Sequence, residues 1–319
     1  MLLSKAIEGF TLSKSADGLS PDTLDIYNWA LQKLVTFLQD KEVENITEAD
    51  CRAWMSWLRD EYEPASNRSI GKNLSLSSLQ DAHTALKSFY SWASKELGIP
   101  RVDTVKRPSG EKPVIRVLSE DEVRALLKVA EYTPVRKTAK RNGFIQKRPT
   151  AERNVALVMF LVDTGLRVGE LSRMKVGDVD QETGEVRVAP FRSGRKSKPR
   201  FVYLGKAARR VLWKYLAKRG ETIPEDPLFM TDDDRPMTRD GMVLVIRRLG
   251  KRAGIKECHP HTLRHTFATQ FIRNGGDAFA LQRALGHSDF EMVRRYVETA
   301  QSDVEAAFRK ASPADRWRL

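Results

Sequence analysis

The chain has 319 residues, 41% hydrophobic and 30% charged, with 55 Lys+Arg against 42 Asp+Glu and a formal net charge of +13. Such a balance excludes a disordered or fibrous chain, no run of about 18 apolar residues predicts a membrane span, and the length predicts two domains at roughly 100–200 residues each. Two cysteines, Cys51 and Cys258, cannot build a disulfide framework and fit a reducing cytoplasm. The N-terminal MLLSKAIEGFTLSKSADG interrupts with charges the apolar core that a signal peptide needs.

Apolar residues at Leu24, Tyr27, Leu31, Leu34, Phe37 and Leu38 recur in steps of three and four, predicting an amphipathic helix with Ser20 as N-cap and Pro21 in its first turn. A second helix is expected from Thr47, with first-turn acids and Trp54, Trp57 and Leu58 on one face. A third is expected over about 75–97, with Leu79, Leu86, Phe89, Tyr90 and Ala93 in a stripe ended by Gly98-Ile99-Pro100. Residues 1–99 thus read as a helical domain, and the proline-bearing, weakly periodic 100–117 as a linker. The second domain, 118–319, opens on a helix capped at Ser119. Residues 131–153, with Arg136, Lys137, Lys140, Arg141, Lys147, Arg148 and Arg153, read as a solvated loop or as a contact for DNA phosphate.

From Asn154 to Val162 the run is apolar on nearly every side, as in a buried helix, and after Thr164-Gly165 another helix is expected over 166–174. The period then changes to two. Residues 185–188 and 200–204 alternate and flank the basic RSGRKSKP, predicting a β-hairpin. Helices follow at about 206–219, 238–253, 261–274, 277–285 and 289–310. The fold class is therefore mainly α with one small antiparallel sheet in the C-terminal domain.

Charge and histidine are both concentrated there. Residues 1–99 hold 10 Lys+Arg and 14 Asp+Glu, a net of −4, and the remaining 220 hold 45 and 28, a net of +17. That is the footprint of a domain facing a polyanion, most often nucleic acid. Of five histidines, His259, His261, His265 and His287 fall within 29 residues. His261 and His265 with Cys258 suggest zinc ligands, but the HExxH acid is missing and Arg264 would bring a cation to the metal. The better reading is an anion site: His261 and Arg264 share a helical face, and an arginine such as Arg167 beside core sequence needs an anion, either Glu170 one turn on or a phosphate.

TGLRVGEL, a basic hairpin, HPHTLRHTFAT and LGHSDFEMVRRYV occur in this order, and together they resemble the tyrosine recombinases, the phage integrase and Xer-like family. LSPDTLDIYNWALQKLVTFL is similar to the start of that family's helical core-binding domain. The resemblance implies a two-domain clamp around duplex DNA with an integrase-like catalytic fold. It also implies DNA cleavage through a 3′-phosphotyrosine, strand exchange through a Holliday junction, paired recombination sites, a homotetramer on DNA and accessory bending or directionality factors, and no metal or other cofactor. It gives Arg167 and Arg264 as the phosphate-clamping arginines, His261 and His287 as the active-site imidazoles with His261 as candidate base, and Tyr296 as nucleophile. A hairpin lysine would act as general acid: Lys196, with Lys198 in reserve, since an ungapped register lands on Arg195, and arginine stays protonated. Glu170 is expected to orient Arg167 or close its turn, His265 and Thr266 to cap or pack within their helix, and His259 to serve its turn. A basic face on the acidic first domain would be built from Arg68, Lys72, Lys87 and Lys95. The alternatives are a relaxing enzyme of the type IB topoisomerase kind and a catalytically silent DNA-binding protein.

Overall fold

The computed structural model describes residues 1–64, 73–110, 114–133, 136–138, 141–190, 199–286 and 290–300. The chain divides into two compact units, Met1–Pro113 and Val114–Leu319.

The first unit is helical. Its helices are α1 (Leu3–Ala16), α2 (Pro21–Leu38), α3 (Glu48–Asp60) and α4 (Leu76–Glu96). Three of the four start where the sequence predicts. Ser20 accepts from the Thr23 amide, Thr47 and Asp50 form a reciprocal capping box, and Ser75 accepts from the Ser78 amide. Helix α1 has no side-chain cap, and that signal is missing from its sequence. Its apolar stripe is present, however: Leu3, Ala6, Ile7 and Phe10 are buried at helical spacing. They join Leu31, Leu34, Trp54, Leu58, Leu86, Phe89 and Tyr90 in one core.

The segment expected to link the domains is shared between the units. Residues 101–110 carry no regular structure yet pack on the first unit through Val102 and Val105. The His83 ring bonds the Val105 carbonyl at 2.9 Å, and the buried carboxylate of Asp103 pairs with Arg101 at 2.6 Å and Lys87 at 3.4 Å. Lys87, expected on a basic face, is thus neutralised at home; Arg68 and Lys72 lie outside the described residues. On the other side, the Leu118 amide donates to Thr266 Oγ1 at 2.9 Å, inside the second unit.

The second unit comprises α5 (Glu120–Glu131), β1 (Arg136–Thr138), β2 (Arg141–Phe144), α6 (Ala151–Thr164), α7 (Val168–Leu171), β3 (Glu185–Val188), β4 (Arg200–Tyr203), α8 (Lys206–Arg219), α9 (Arg239–Arg252), α10 (Pro260–Arg273), α11 (Ala278–Leu285) and α12 (Glu291–Ala300). Helix α6 is buried on several sides because it packs against α5, α8 and α10 at once, which is why its sequence lacks a polar face. Strands β3 and β4 pair antiparallel with Glu185 opposite Tyr203 and Val188 opposite Arg200. A second cluster, containing Ala268, Ile272, Leu281, Leu285, Val293, Tyr296 and Ala300, joins α10, α11 and α12.

Two expectations are corrected here. The basic stretch 131–153 is not a loop throughout: β1 and β2 pair antiparallel, and α6 already begins at Ala151. Three of its cations hold the unit together. Arg148 donates to the carbonyls of Val129 and Tyr132 at 2.9 and 3.0 Å, Lys147 pairs with Glu152 at 2.8 Å, and Arg153 with Asp232 at 2.8 Å. The helix expected over 166–174 is only the four-residue α7, because the chain turns at once to lay Leu171 and Met174 into the core. No described helix is long and apolar enough to cross a membrane.

Candidate active site

The site begins where α6 stops. Gly165 caps it in the left-handed region at φ 61°, and a Cβ there would lie 2.2 Å from a ring carbon of Phe267. Only glycine lets this turn pass so close to α10. The turn delivers Arg167 as N-cap of α7, with its amide held by Glu170 Oε2 at 2.9 Å and its guanidinium exposed. Arg167 Nη1 is 3.5 Å from Glu170 Oε1.

Glu170 has a stronger partner that the sequence reading missed. Arg200, at the start of β4, makes two parallel hydrogen bonds to its carboxylate at 2.9 and 2.8 Å, with both side chains only 9% exposed. Burial would raise the Glu170 carboxyl, but the hydrogen bonds and charge of Arg200 hold it below the ordinary value. The remaining edge of Arg200 donates from Nε to the Ala284 carbonyl at 2.7 Å. A signal existed: Arg200 shares the inward face of an alternating strand with Val202, and an inward arginine requires a buried acid.

Helix α10 carries the central cluster. His259 is its N-cap, accepting from the Thr262 amide at Nδ1 at 3.2 Å, and Pro260 fills the first turn. Arg264 is buried and donates to the carbonyls of Gly165 at 2.6 Å and Leu285 at 2.8 Å. It therefore ties the turn after α6 to the C-terminus of α11, whose last carbonyls have no helical partner. Burial, then the positive charge of Arg167, lowers the Arg264 guanidinium to about 10, still protonated at neutral pH. His261 lies at the surface of the same turn, lowered by desolvation and by Arg264, His259, Arg167 and Arg239.

Tyr296 on α12 is 1% exposed. Its hydroxyl lies 2.9 Å from Nδ1 of His265. This corrects the expectation that His265 only caps or packs within its helix. His265, Ala268 and Ile272 follow at spacings of three and four on α10, and the last two pack in the cluster that holds Tyr296. That spacing was a readable signal. Burial raises the phenol above its ordinary value, opposed by the charges of Arg264, Arg295 and Arg167. The structure thus brings Arg167, His261, Arg264 and Tyr296 to one neighbourhood from three separate segments. Lys196, Lys198 and His287 lie outside the described residues. Cys258, considered as a zinc ligand, is a buried thiol pushed up to about 11 by desolvation, and no group of three potential metal ligands occurs among the described residues.

Convergent guanidinium groups, imidazoles and a phenol suit an oxygen nucleophile acting on a phosphate. The comparisons agree. Residues 116–303 match the phage integrase family, and residues 7–98 match the phage integrase N-terminal SAM-like domain. The chain belongs to the phage integrase family; it is a site-specific tyrosine recombinase, of the enzyme class that breaks and rejoins DNA. It is 30% identical to tyrosine recombinase XerD of Staphylococcus epidermidis over 303 residues, covering 93% of this chain and 94% of that protein. It is 27% identical to tyrosine recombinase XerC of Bacillus pumilus over 318 residues, covering 96% and 94%. Its fold is similar to that of lambda integrase in a dimer bound to a COC′ core site, with TM-score 0.71, 19% identity and coverage of 95% and 97%.

Proposed function

We propose that the protein cleaves duplex DNA at paired recombination sites through Tyr296 and rejoins it with exchanged partners. The observation that carries this reading is the meeting of Arg264 and the Tyr296 phenol around α10. The scissile phosphodiester lies against Arg167 and Arg264, whose guanidinium groups neutralise its non-bridging oxygens, and His287 hydrogen-bonds the same group. The phenolic oxygen of Tyr296 attacks phosphorus and gives its proton to His261, the candidate base, as the new bond forms. The bond to the 5′ oxygen breaks, and a hairpin lysine, Lys196 or Lys198, protonates that leaving oxygen. The 3′-phosphotyrosine conserves the bond energy, so the reverse reaction with another 5′-hydroxyl needs neither metal nor nucleotide.

A tetramer passing through a Holliday junction completes this reading, with residues 1–99 as core-binding domain, residues 118–319 as catalytic domain, action in the cytoplasm, and accessory DNA-bending or directionality factors. The two named relatives are tyrosine recombinases, which favours exchange over relaxation or silent binding. The test is a labelled duplex, selected by binding from a randomised pool, incubated with the protein and quenched with SDS. A covalent adduct that is lost in Tyr296→Phe with DNA affinity retained supports the assignment. An adduct that persists in the variant refutes it.

A further inference from the structure

We propose that His265 is the positioning residue of the nucleophile: its Nδ1 accepts the hydrogen bond of the Tyr296 hydroxyl and directs that oxygen's lone pairs away from the imidazole, to where an electrophile is received. The proposal rests on the reading of Tyr296 as nucleophile, and it deepens that reading.

The geometry has three parts. First, the two groups come from different helices, so the contact is a product of packing between α10 and α12 and not of local sequence. Nδ1 and the hydroxyl are 2.9 Å apart, and the rings are inclined at 48° with centroids 5.7 Å apart. The contact is therefore through the ring edge, not by stacking. Second, the phenol sits among Ala268, Ile272, Leu281 and Val293. A buried hydroxyl is costly unless bonded, and His265 on α10 brings a ring nitrogen within hydrogen-bond reach of it. Third, His265 also faces His261, whose ring centre is 6.4 Å away. The histidine that touches the nucleophile is thus linked to the one exposed toward solvent.

The charge state agrees. Burial, followed by the fields of His261 and Arg264, lowers the His265 imidazole to about 4, so it is uncharged at neutral pH. A neutral imidazole that accepts at Nδ1 carries its proton on Nε2. A ring with so little affinity for a second proton orients the hydroxyl without retaining its proton, which distinguishes this role from that of a general base. The benefit is geometric: a nucleophile held in line reacts far faster than one that must find its orientation, and a misplacement of about 1 Å can cost about 100-fold.

The full-length chain and the binding-selected duplex serve for the test. Single-turnover adduct formation is compared for wild type, His265→Leu and His265→Asn, alongside DNA affinity. His265→Leu is expected to slow the step about 100-fold with affinity unchanged. His265→Asn, whose amide oxygen stands near the position of Nδ1, is expected to recover most of the loss. In parallel, spectra of ¹⁵N-histidine-labelled protein should show His265 protonated at Nε2, with an Nδ1 resonance that moves in Tyr296→Phe. This second readout needs neither activity nor a folded leucine variant. A leucine variant at the wild-type rate, an asparagine variant no better than leucine, or a proton on Nδ1 each overturns the proposal. A wild type that forms no adduct overturns the nucleophile reading itself, whereas an adduct unaffected by His265→Leu overturns this inference alone.

Discussion

Replacing Glu170 by alanine removes the counter-ion of a guanidinium that is 9% exposed and the acceptor of the Arg167 amide. Leaving one half of a buried ion pair uncompensated costs about 3–5 kcal/mol, and losing a helix-cap acceptor adds about 1 kcal/mol. Against a total stability of about 5–15 kcal/mol, that is enough to unfold much of the second unit under mild denaturant. The double variant Glu170→Leu/Arg200→Met behaves differently, because two apolar side chains in place of a buried pair are close to neutral. What remains is the Arg167 amide without its Glu170 acceptor, about 1 kcal/mol, and the Ala284 carbonyl deprived of its Arg200 donor, about 1–3 kcal/mol. Urea unfolding followed by far-UV circular dichroism measures both. The double variant should be more stable than Glu170→Ala. A Glu170→Ala variant that loses less than about 1 kcal/mol, or a double whose loss equals the sum of those of Glu170→Leu and Arg200→Met made singly, would refute the buried-pair argument. The pH dependence has a definite sign. The Glu170 carboxyl is held below its ordinary 4.5 in the folded state, so its contribution is complete above that value and is lost as pH falls below it. Glu170→Gln should lack this part of the acid-side loss.

Two further substitutions examine the geometry around Gly165 and Arg264. Arg264→Lys keeps the charge but cannot span the carbonyls of Gly165 and Leu285, so adduct formation should fall by about 10²–10³; an unchanged rate would count against the clamp. Gly165→Ala places a methyl 2.2 Å from Phe267 at a φ of 61°. The left-handed strain of about 1–2 kcal/mol and overpacking of about 1–3 kcal/mol should lower the thermal midpoint of the second unit clearly. A midpoint equal to wild type would mean that α6 and α10 are free to separate.

Helices with caps and stripes were legible because both signals are local. Ser20 and Ser119 each accept an amide as the expected caps, and α8 spans Lys206–Arg219 as its periodicity indicates. The β1–β2 hairpin was not legible, since Arg136–Phe144 lacks the apolar alternation by which a strand is read. Motif order suggested which residues would serve phosphate chemistry, but not their partners. Arg200 and Glu170 are 30 positions apart, and His265 and Tyr296 are 31. Such pairs are made by packing, and neither partner's own neighbours in sequence reveal the other.

Those unread partners also set the charge of the site. Arg167, Arg200 and Arg264 stand around the single carboxylate of Glu170, which is bonded in parallel fashion to Arg200. The positive charge left over belongs mainly to Arg167 and Arg264, and Arg167 is among the causes that lower the Arg264 guanidinium. A phosphodiester brings one negative charge and relieves this repulsion in part. The pentacoordinate species formed by phenoxide attack carries two, and matches the excess more fully. Stabilisation that grows between the bound phosphodiester and the transition state is what accelerates a reaction, whereas equal binding of both does not. On the proposed mechanism Glu170 has a second task besides holding Arg200: both its short hydrogen bonds go to that arginine, so its charge offsets Arg167 and Arg264 only in part and leaves positive charge suited to the transition state over the substrate.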